Sequence, residues 1–232
     1  MYLDRPAMFA AHIRSGILGP RALDEVDLAS GPAVLLSEFS YKRGMEIYGE
    51  NEPADYVYQV KEGAVRSYKL LSDGRRQIGA FHLVGDIFGV TSGENHRFTT
   101  EAIEDTTLRV IRRRKLVSMA TTDAVLARKL LNLTAMDLRH AEDHLLLLGR
   151  KDALERVATF LLEMDMRLAT AGVMTLPMAR HDIADYLGLT VETVSRSLSR
   201  LRKMGALEFT GETQRELTIL SRDRLRALDL QG

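Results

Sequence analysis

Between Val34 and Arg112, apolar and polar residues alternate in short runs such as DYVYQVKEGAVRSYKLL and RQIGAFHLVGDIFGV. Alternation with a period of two turns successive side chains to opposite faces, so each run predicts a half-buried strand. Glycines at 44, 49, 63, 74, 79, 85, 89 and 93 interrupt these runs at hairpin spacing. The architecture expected from that punctuation is an antiparallel barrel or roll. Ahead of it, residues 1 to about 30 mix short apolar groups with Gly16, Gly19 and Pro20 and predict helical turns packed on another element.

Past the basic run RRRK at 112–115, glycine is absent until Gly149 and the period becomes helical. Leu126, Leu130, Leu133, Asp137, His140, His144 and Leu147 succeed one another at spacings of four and three, which predicts a seam along a partner helix and hence a dimer. The same spacing also fits an amphipathic helix lying on its own barrel. A further helix, KDALERVATFLLEMDMRLA, is broken by Gly172 and Pro177.

The stretch RHDIADYLGLTVETVSRSLSRLRKMGAL, 180 to 207, folds two short amphipathic patterns about one corner. Ile183, Ala184 and Leu187 share a face, Gly188 suits a left-handed helix end, and Thr190 is a good N-cap for the next helix. In that second helix Val194, Leu198 and Leu201 form the inner stripe, leaving Val191, Glu192, Ser195, Arg196, Ser199 and Arg200 outside. ALEFTGETQRELTIL then predicts strand, turn, strand, and SRDRLRALDL a closing helix. That order is a winged helix-turn-helix.

The expected fold class is therefore α+β: an N-terminal β-roll, a long dimerisation helix and a C-terminal winged helix-turn-helix. The boundaries are 1–117 for the N-terminal helices and roll, 118–148 for the dimerisation helix, and 149–232 for the DNA-binding domain. A DNA major groove admits one helix, where Arg donates twice to guanine, Glu accepts from cytosine N4, and hydroxyl or methyl groups meet thymine. Glu192, Ser195 and Arg196 are spaced to present together near a helix N-terminus, and an acid there is repelled by phosphates, so it suits a base edge better than backbone. Glu192 and Arg196 can also pair with each other at i, i+4 on a solvated face. Corner, cap and hairpin together favour DNA.

Charge sharpens this picture by being absent overall. The 32 basic and 32 acidic residues cancel, so attraction to nucleic acid must come from local placement. With no cysteine there is no disulfide, thiolate zinc site or iron–sulfur cluster. No window is long and apolar enough to span a bilayer, which together with the lack of a secretory pattern leads us to expect a cytoplasmic protein without membrane contact. No nucleophile–base pair, metal cluster or phosphate loop is apparent, so an enzyme is not expected.

These motifs resemble the Crp/Fnr transcription-regulator family, and within it the FixK/Fnr-like branch. The resemblance runs from the glycine-punctuated roll through GAFHLVGDIFG and DHLLLLGRKDALERVATFLL to VETVSR, which is similar to the Fnr-type recognition helix. It implies a cyclic-nucleotide-binding-like jelly roll and a homodimer on double-stranded DNA. Base readout falls to Val191, Glu192, Ser195 and Arg196, and phosphate contacts to Arg180, His181, Thr190 and Thr193. The implied target is TTGAT, four spacer bases, ATCAA, with Arg196 on the guanine and Glu192 on the opposite strand. Asp73, Gly74 and Arg75, in the segment DGRRQ, match a hairpin that in Fnr-like activators helps meet RNA polymerase.

The resemblance also bears on ligands. Family members that bind cyclic nucleotides use a Gly-Glu-Leu segment followed by Arg-Ser or Arg-Thr, whereas here Asp86 replaces the glutamate and Phe98 comes after Arg97. Arg97 alone can hold an anion. Fnr senses oxygen with a cysteine-bound iron–sulfur cluster, which this chain cannot bind, and FixK-like members typically act without a known effector. No metal and no cofactor are expected. His140 with His144 in a dimer, and His82 as a haem ligand, are weighed against ordinary packing, which fits better.

Overall fold

In a computed structural model, residues 37–168, 173–210 and 215–229 are described. The helical turns expected before residue 31, and the turn at 211–214, lie outside them. Eight short strands make two antiparallel sheets of four. One has the order β1 (Ser37–Tyr41), β8 (Thr106–Arg112), β3 (Tyr56–Glu62), β6 (Ile87–Phe88); the other β2 (Glu46–Tyr48), β7 (Thr99–Ala102), β4 (Val65–Leu70), β5 (Arg76–His82). Alternation decides the faces: in β8, Thr106, Leu108 and Val110 are buried while Thr107 and Arg109 are half-exposed. Val60, Val65, Phe88 and Leu108 meet between the sheets. The β3–β4 turn needs Gly63, whose φ is +86°, because a Cβ there would lie 2.5 Å from the Asp105 carbonyl oxygen.

Two helices leave the roll. α1 (Arg113–Thr122) ends at Asp123, whose carboxylate accepts from the backbone N–H groups of Val125 and Leu126 and caps α2 (Ala124–Arg150). At 27 residues, α2 is about 40 Å long. Next come α3 (Ala153–Leu168), β9 (Val173–Thr175), α4 (Arg180–Leu187), α5 (Val191–Lys203), β10 (Leu207–Thr210), β11 (Glu216–Ile219) and α6 (Arg222–Asp229). β9, which the sequence did not signal, joins β11 to make a three-stranded wing in the order β10-β11-β9.

The main core is continuous from roll to winged helix. Ile78, Phe81 and Leu83 of the roll belong to the same buried cluster as Phe160, Leu161, Tyr186, Leu187, Val194 and Leu201. Phe81 lies 5.2 Å from Tyr186 and 6.4 Å from Phe160, ring centre to ring centre. Arg156 fastens the three helices behind this core: it donates to the carbonyls of Leu148, Lys151 and Leu187, groups left unpaired where α2 and α4 end.

Candidate nucleic-acid interface

The helix-turn-helix corner is built as its sequence dictates. Ile183, Ala184 and Leu187 are all buried, and Gly188 takes φ 62°, ψ 40° in the left-handed region. The Thr190 side chain accepts from the Thr193 backbone N–H at 3.2 Å. Burial of Val194, Leu198 and Leu201 then leaves α5 one way to face.

The opposite face is open. Val191, Glu192, Arg196, Ser199 and Arg200 are exposed and Ser195 is half-exposed. Arg196, Arg200, Arg202 and Lys203 make α5 strongly basic in a chain of zero net charge, with Glu192 its single acid. The Glu192 carboxyl is held below the ordinary carboxylate range by its own backbone N–H, then by the Thr190 hydroxyl, with Arg196 adding a smaller Coulombic pull. It is thus an acceptor, as contact with cytosine N4 requires. Arg196 donates to Thr193 Oγ1 at 3.3 Å.

Of the residues expected at phosphates, Arg180, Thr190 and Thr193 are bonded to one another or to these readers. Arg180, in the first turn of α4, donates to Ser195 Oγ at 3.1 Å and stacks over Phe209 of the wing, its guanidinium carbon 5.6 Å from the ring centre. His181 and Thr190 are exposed and Thr193 half-exposed. Asp73, Gly74 and Arg75 form an exposed turn between β4 and β5, closed by the Arg75 guanidinium on Asp73 at 2.7 Å.

The long helix differs from its sequence pattern. Leu133 and Leu147 are buried within the single chain, and Leu126 and Leu130 pack on the cluster of Val57, Ile87 and Ile111. His144 bonds the Tyr186 carbonyl oxygen at 2.9 Å, and His140 Nε2 lies 3.4 Å from the Tyr186 hydroxyl. Asp137 and His140 line a cavity against the roll. Of the row expected as a dimer seam, Leu133 and Leu147 are thus covered by their own chain, while Leu126, Leu130, Asp137, His140 and His144 stay half-exposed. An exposed apolar row is Leu131, Leu138 and Leu145, seven residues apart, with Thr134 and Ala141 between them and Ala127 one turn before.

The cavity, about 480 Å³, is lined by Tyr48, Ser67, His82, Phe88, Arg97 and Phe98 among others. Asp86 does not join them. It is buried, accepts from the Leu83 N–H and pairs with Arg167 of α3. His82 Nε2 lies 2.9 Å from Ser67 Oγ and its ring stacks on Phe88. No group of three or more metal-binding side chains occurs among the described residues, and none of their helices is long and apolar enough to cross a membrane.

One set of residues escapes any reading of the sequence. Arg66 and Arg76, on β4 and β5, reach the buried carboxylate of Asp182 at 2.6 and 2.7 Å, and Arg76 also meets Asp185. DGRRQ by itself suggests only a solvated turn. A charged residue whose neighbour in space lies more than 100 positions away leaves no periodic trace.

Comparison with known proteins agrees with this architecture. Residues 38–123 match the cyclic nucleotide-binding domain family, and residues 155–228 the Crp-like helix-turn-helix domain family. The chain is 43% identical to the nitrogen fixation regulation protein FixK of Rhizobium meliloti over 86% of its length and 89% of that protein's. It is 30% identical to the fumarate and nitrate reduction regulatory protein of Vibrio cholerae over 90% and 85%. The solved structure of FixK2 from Bradyrhizobium japonicum superimposes with a TM-score of 0.82 at 63% identity, covering 84% of this chain and 98% of that one. Relatives of this kind are transcription regulators rather than enzymes. With the exposed, basic helix α5 set in a winged helix beneath a cyclic-nucleotide-binding-like roll, the chain belongs to the Crp/Fnr family of DNA-binding transcription regulators, in its FixK-like branch.

Proposed function

We propose that the protein is a transcription activator that binds a TTGAT-N4-ATCAA-like palindrome as a homodimer and needs no effector. The observation that carries this reading is the outer face of α5: Val191, Glu192, Ser195 and Arg196 stand open together at the helix N-terminus. Arg196 donates to guanine O6 and N7, Glu192 accepts from cytosine N4 on the opposite strand, and Ser195 and Val191 take thymine contacts. Arg180, His181, Thr190 and Thr193 hold the phosphates and so set register.

A two-fold dimer presents two such helices about 34–36 Å apart, one turn of DNA, which is what a palindrome demands. We assign its seam to Leu131, Leu138 and Leu145, an exposed heptad row that a second copy of α2 can cover. Functionally the division is a roll through residue 117, a dimerisation helix at 118–148 and a DNA-binding part from 149. The exposed turn at Asp73, Gly74 and Arg75 is the surface offered to RNA polymerase. Likeness to regulators named for nitrogen fixation and for fumarate and nitrate reduction supports target genes governed by oxygen limitation.

The test is fluorescence anisotropy of the ligand-free protein on the palindrome and on a duplex with both guanines changed, at stated near-physiological salt. Tight binding lost on the changed duplex supports the assignment. Equal binding to both removes it. The cavity beside α2 favours a second reading, an effector-gated regulator, in which ligand-free protein discriminates only after a small molecule is added.

A further inference from the structure

The joint between roll and winged helix is held by buried charge. Asp182 is 3% exposed, yet two cations reach it: Arg66 Nη1 approaches Oδ1 at 2.6 Å and Arg76 Nη2 at 2.7 Å. Its other oxygen accepts from the Ala179 backbone N–H at 3.1 Å, which caps α4. Arg66 also pairs with Glu101 at 2.8 Å, and Arg76 with Asp185. His181 Nε2 lies 3.3 Å from Asp182 Oδ1. Two arginines from the roll therefore face three carboxylates, two of them on α4.

A second tie also reaches the roll from the helices that follow it. Arg167, at the end of α3, pairs with Asp86 of the roll and donates to the Phe81 carbonyl oxygen. Both ties are shielded from water, where charge pairs are short, directional and costly to break singly. Interfaces between domains of one chain move freely unless they are large and hydrophobic; here an apolar core shared by Ile78, Phe81, Phe160 and Tyr186 joins the two parts, and the charge pairs add direction to it.

The position of Asp182 in the helix gives the lock a consequence for DNA. It is two residues from Arg180, whose guanidinium holds Ser195 on the reading face of α5. A bonded path thus runs from the roll, through one helical turn, to a side chain assigned to base readout. We propose that Asp182, gripped by Arg66 and Arg76, is a positioning residue for DNA recognition: the three lock the winged helix to the roll in one orientation, and so set the separation at which two copies present Arg196. The inference rests on the palindrome reading above. On the effector-free reading above, fixed charges in the joint give the winged helix its orientation without a ligand.

The lock and its consequence can be read separately. Because the chain has no cysteine, Arg43→Cys on the roll and Lys203→Cys at the end of α5 create a unique pair for spin labels, diluted with unlabelled protein. The parent should give one narrow distance distribution, and Arg66→Gln with Arg76→Gln a broad one. If that double variant does not fold, adding Asp182→Asn removes the stranded carboxylate and keeps the comparison. On DNA, changing the spacer by one base pair moves a half-site by about 3.4 Å and about a tenth of a turn. The parent should reject three- and five-base spacers about tenfold or more, and the variant should lose most of that rejection while keeping its preference for guanine. Simple loss of folded protein lowers binding to every duplex alike and leaves the spacer ratio unmoved.

An unchanged distance distribution in the folded variant overturns the lock. Broadening with an unchanged spacer ratio overturns its positioning role. Parent protein that ignores the palindrome altogether overturns the DNA reading, and the positioning role with it, whatever the distances show.

Discussion

Helices α5 and α2 carry the two halves of the function, and they answer to their sequences differently. In α5 the apolar residues Val194, Leu198 and Leu201 occupy one stripe and every other residue except Val191 is polar, so burying that stripe orients the helix. In α2 leucines occupy two faces. Leu126, Leu130, Leu133 and Leu147 turn toward the chain's own core, and Leu131, Leu138 and Leu145 toward solvent. Periodicity shows that a row is apolar; what covers it depends on the neighbours, and for α2 two neighbours compete.

The inner row of α2 offers the largest effect. Leu133 is 2% exposed among Val57, Ile87, Ile111 and Leu116, so Leu133→Ala should cost about 2–5 kcal/mol of unfolding free energy in urea titration. If Leu133 were a seam residue instead, the loss would appear as weaker dimerisation, and the unfolding of a monomeric form would be unmoved.

On α5 the corresponding substitution touches no core. Arg196→Ala should leave stability within about 0.5 kcal/mol and cost about 1–3 kcal/mol of binding per half-site, with discrimination at the guanine relaxed. Anisotropy on matched and guanine-changed duplexes reads both quantities; full discrimination by the variant would assign the guanine to another residue.

The outer row of α2 should behave unlike the inner one. Leu138→Lys, at a residue 60% exposed in the single chain, should raise the dimer dissociation constant about tenfold, about 1.4 kcal/mol, while the folded protomer keeps its stability. Sedimentation equilibrium measures the first and thermal unfolding the second. A dimer unaffected by Leu138→Lys places the seam elsewhere.

The smallest effect concerns pH. Burial holds the His144 imidazole below its ordinary value of 6.5, outweighing the Tyr186 carbonyl bond that favours the proton. A depressed value in the folded state means the unfolded chain binds the proton more readily below that pH. The contribution of His144 is thus whole above about pH 6.5 and lost as pH falls through its lower folded value. His96 shifts the same way, also chiefly through burial. The informative quantity is therefore the difference: His144→Gln should flatten the acid side of the stability profile relative to the parent, and parallel profiles would show that His144 does not titrate in that range.

Much of the fold was legible for local reasons. Strand runs of alternating character, the Gly188 corner and the Thr190 cap each depend on residues within a few positions, and each formed as the sequence implied. The outer face of α5 followed from its single apolar stripe. The wing was legible as a hairpin but not as three strands, because β9 is only three residues long and lies between Gly172 and Pro177.

Sequence alone was enough to place the strand-rich roll, the long helix and the helix-turn-helix and to say which face of the recognition helix is free, because caps and amphipathic stripes are short-range and periodic. Folding in three dimensions was needed to decide which leucines of α2 are already covered, that Asp86 serves Arg167 rather than the cavity, and that Arg66 and Arg76 converge on Asp182. Those outcomes depend on charge pairs and packing between residues up to 116 positions apart. An ion pair in a joint obeys distance and dielectric, not period, so it becomes visible only when the chain is folded.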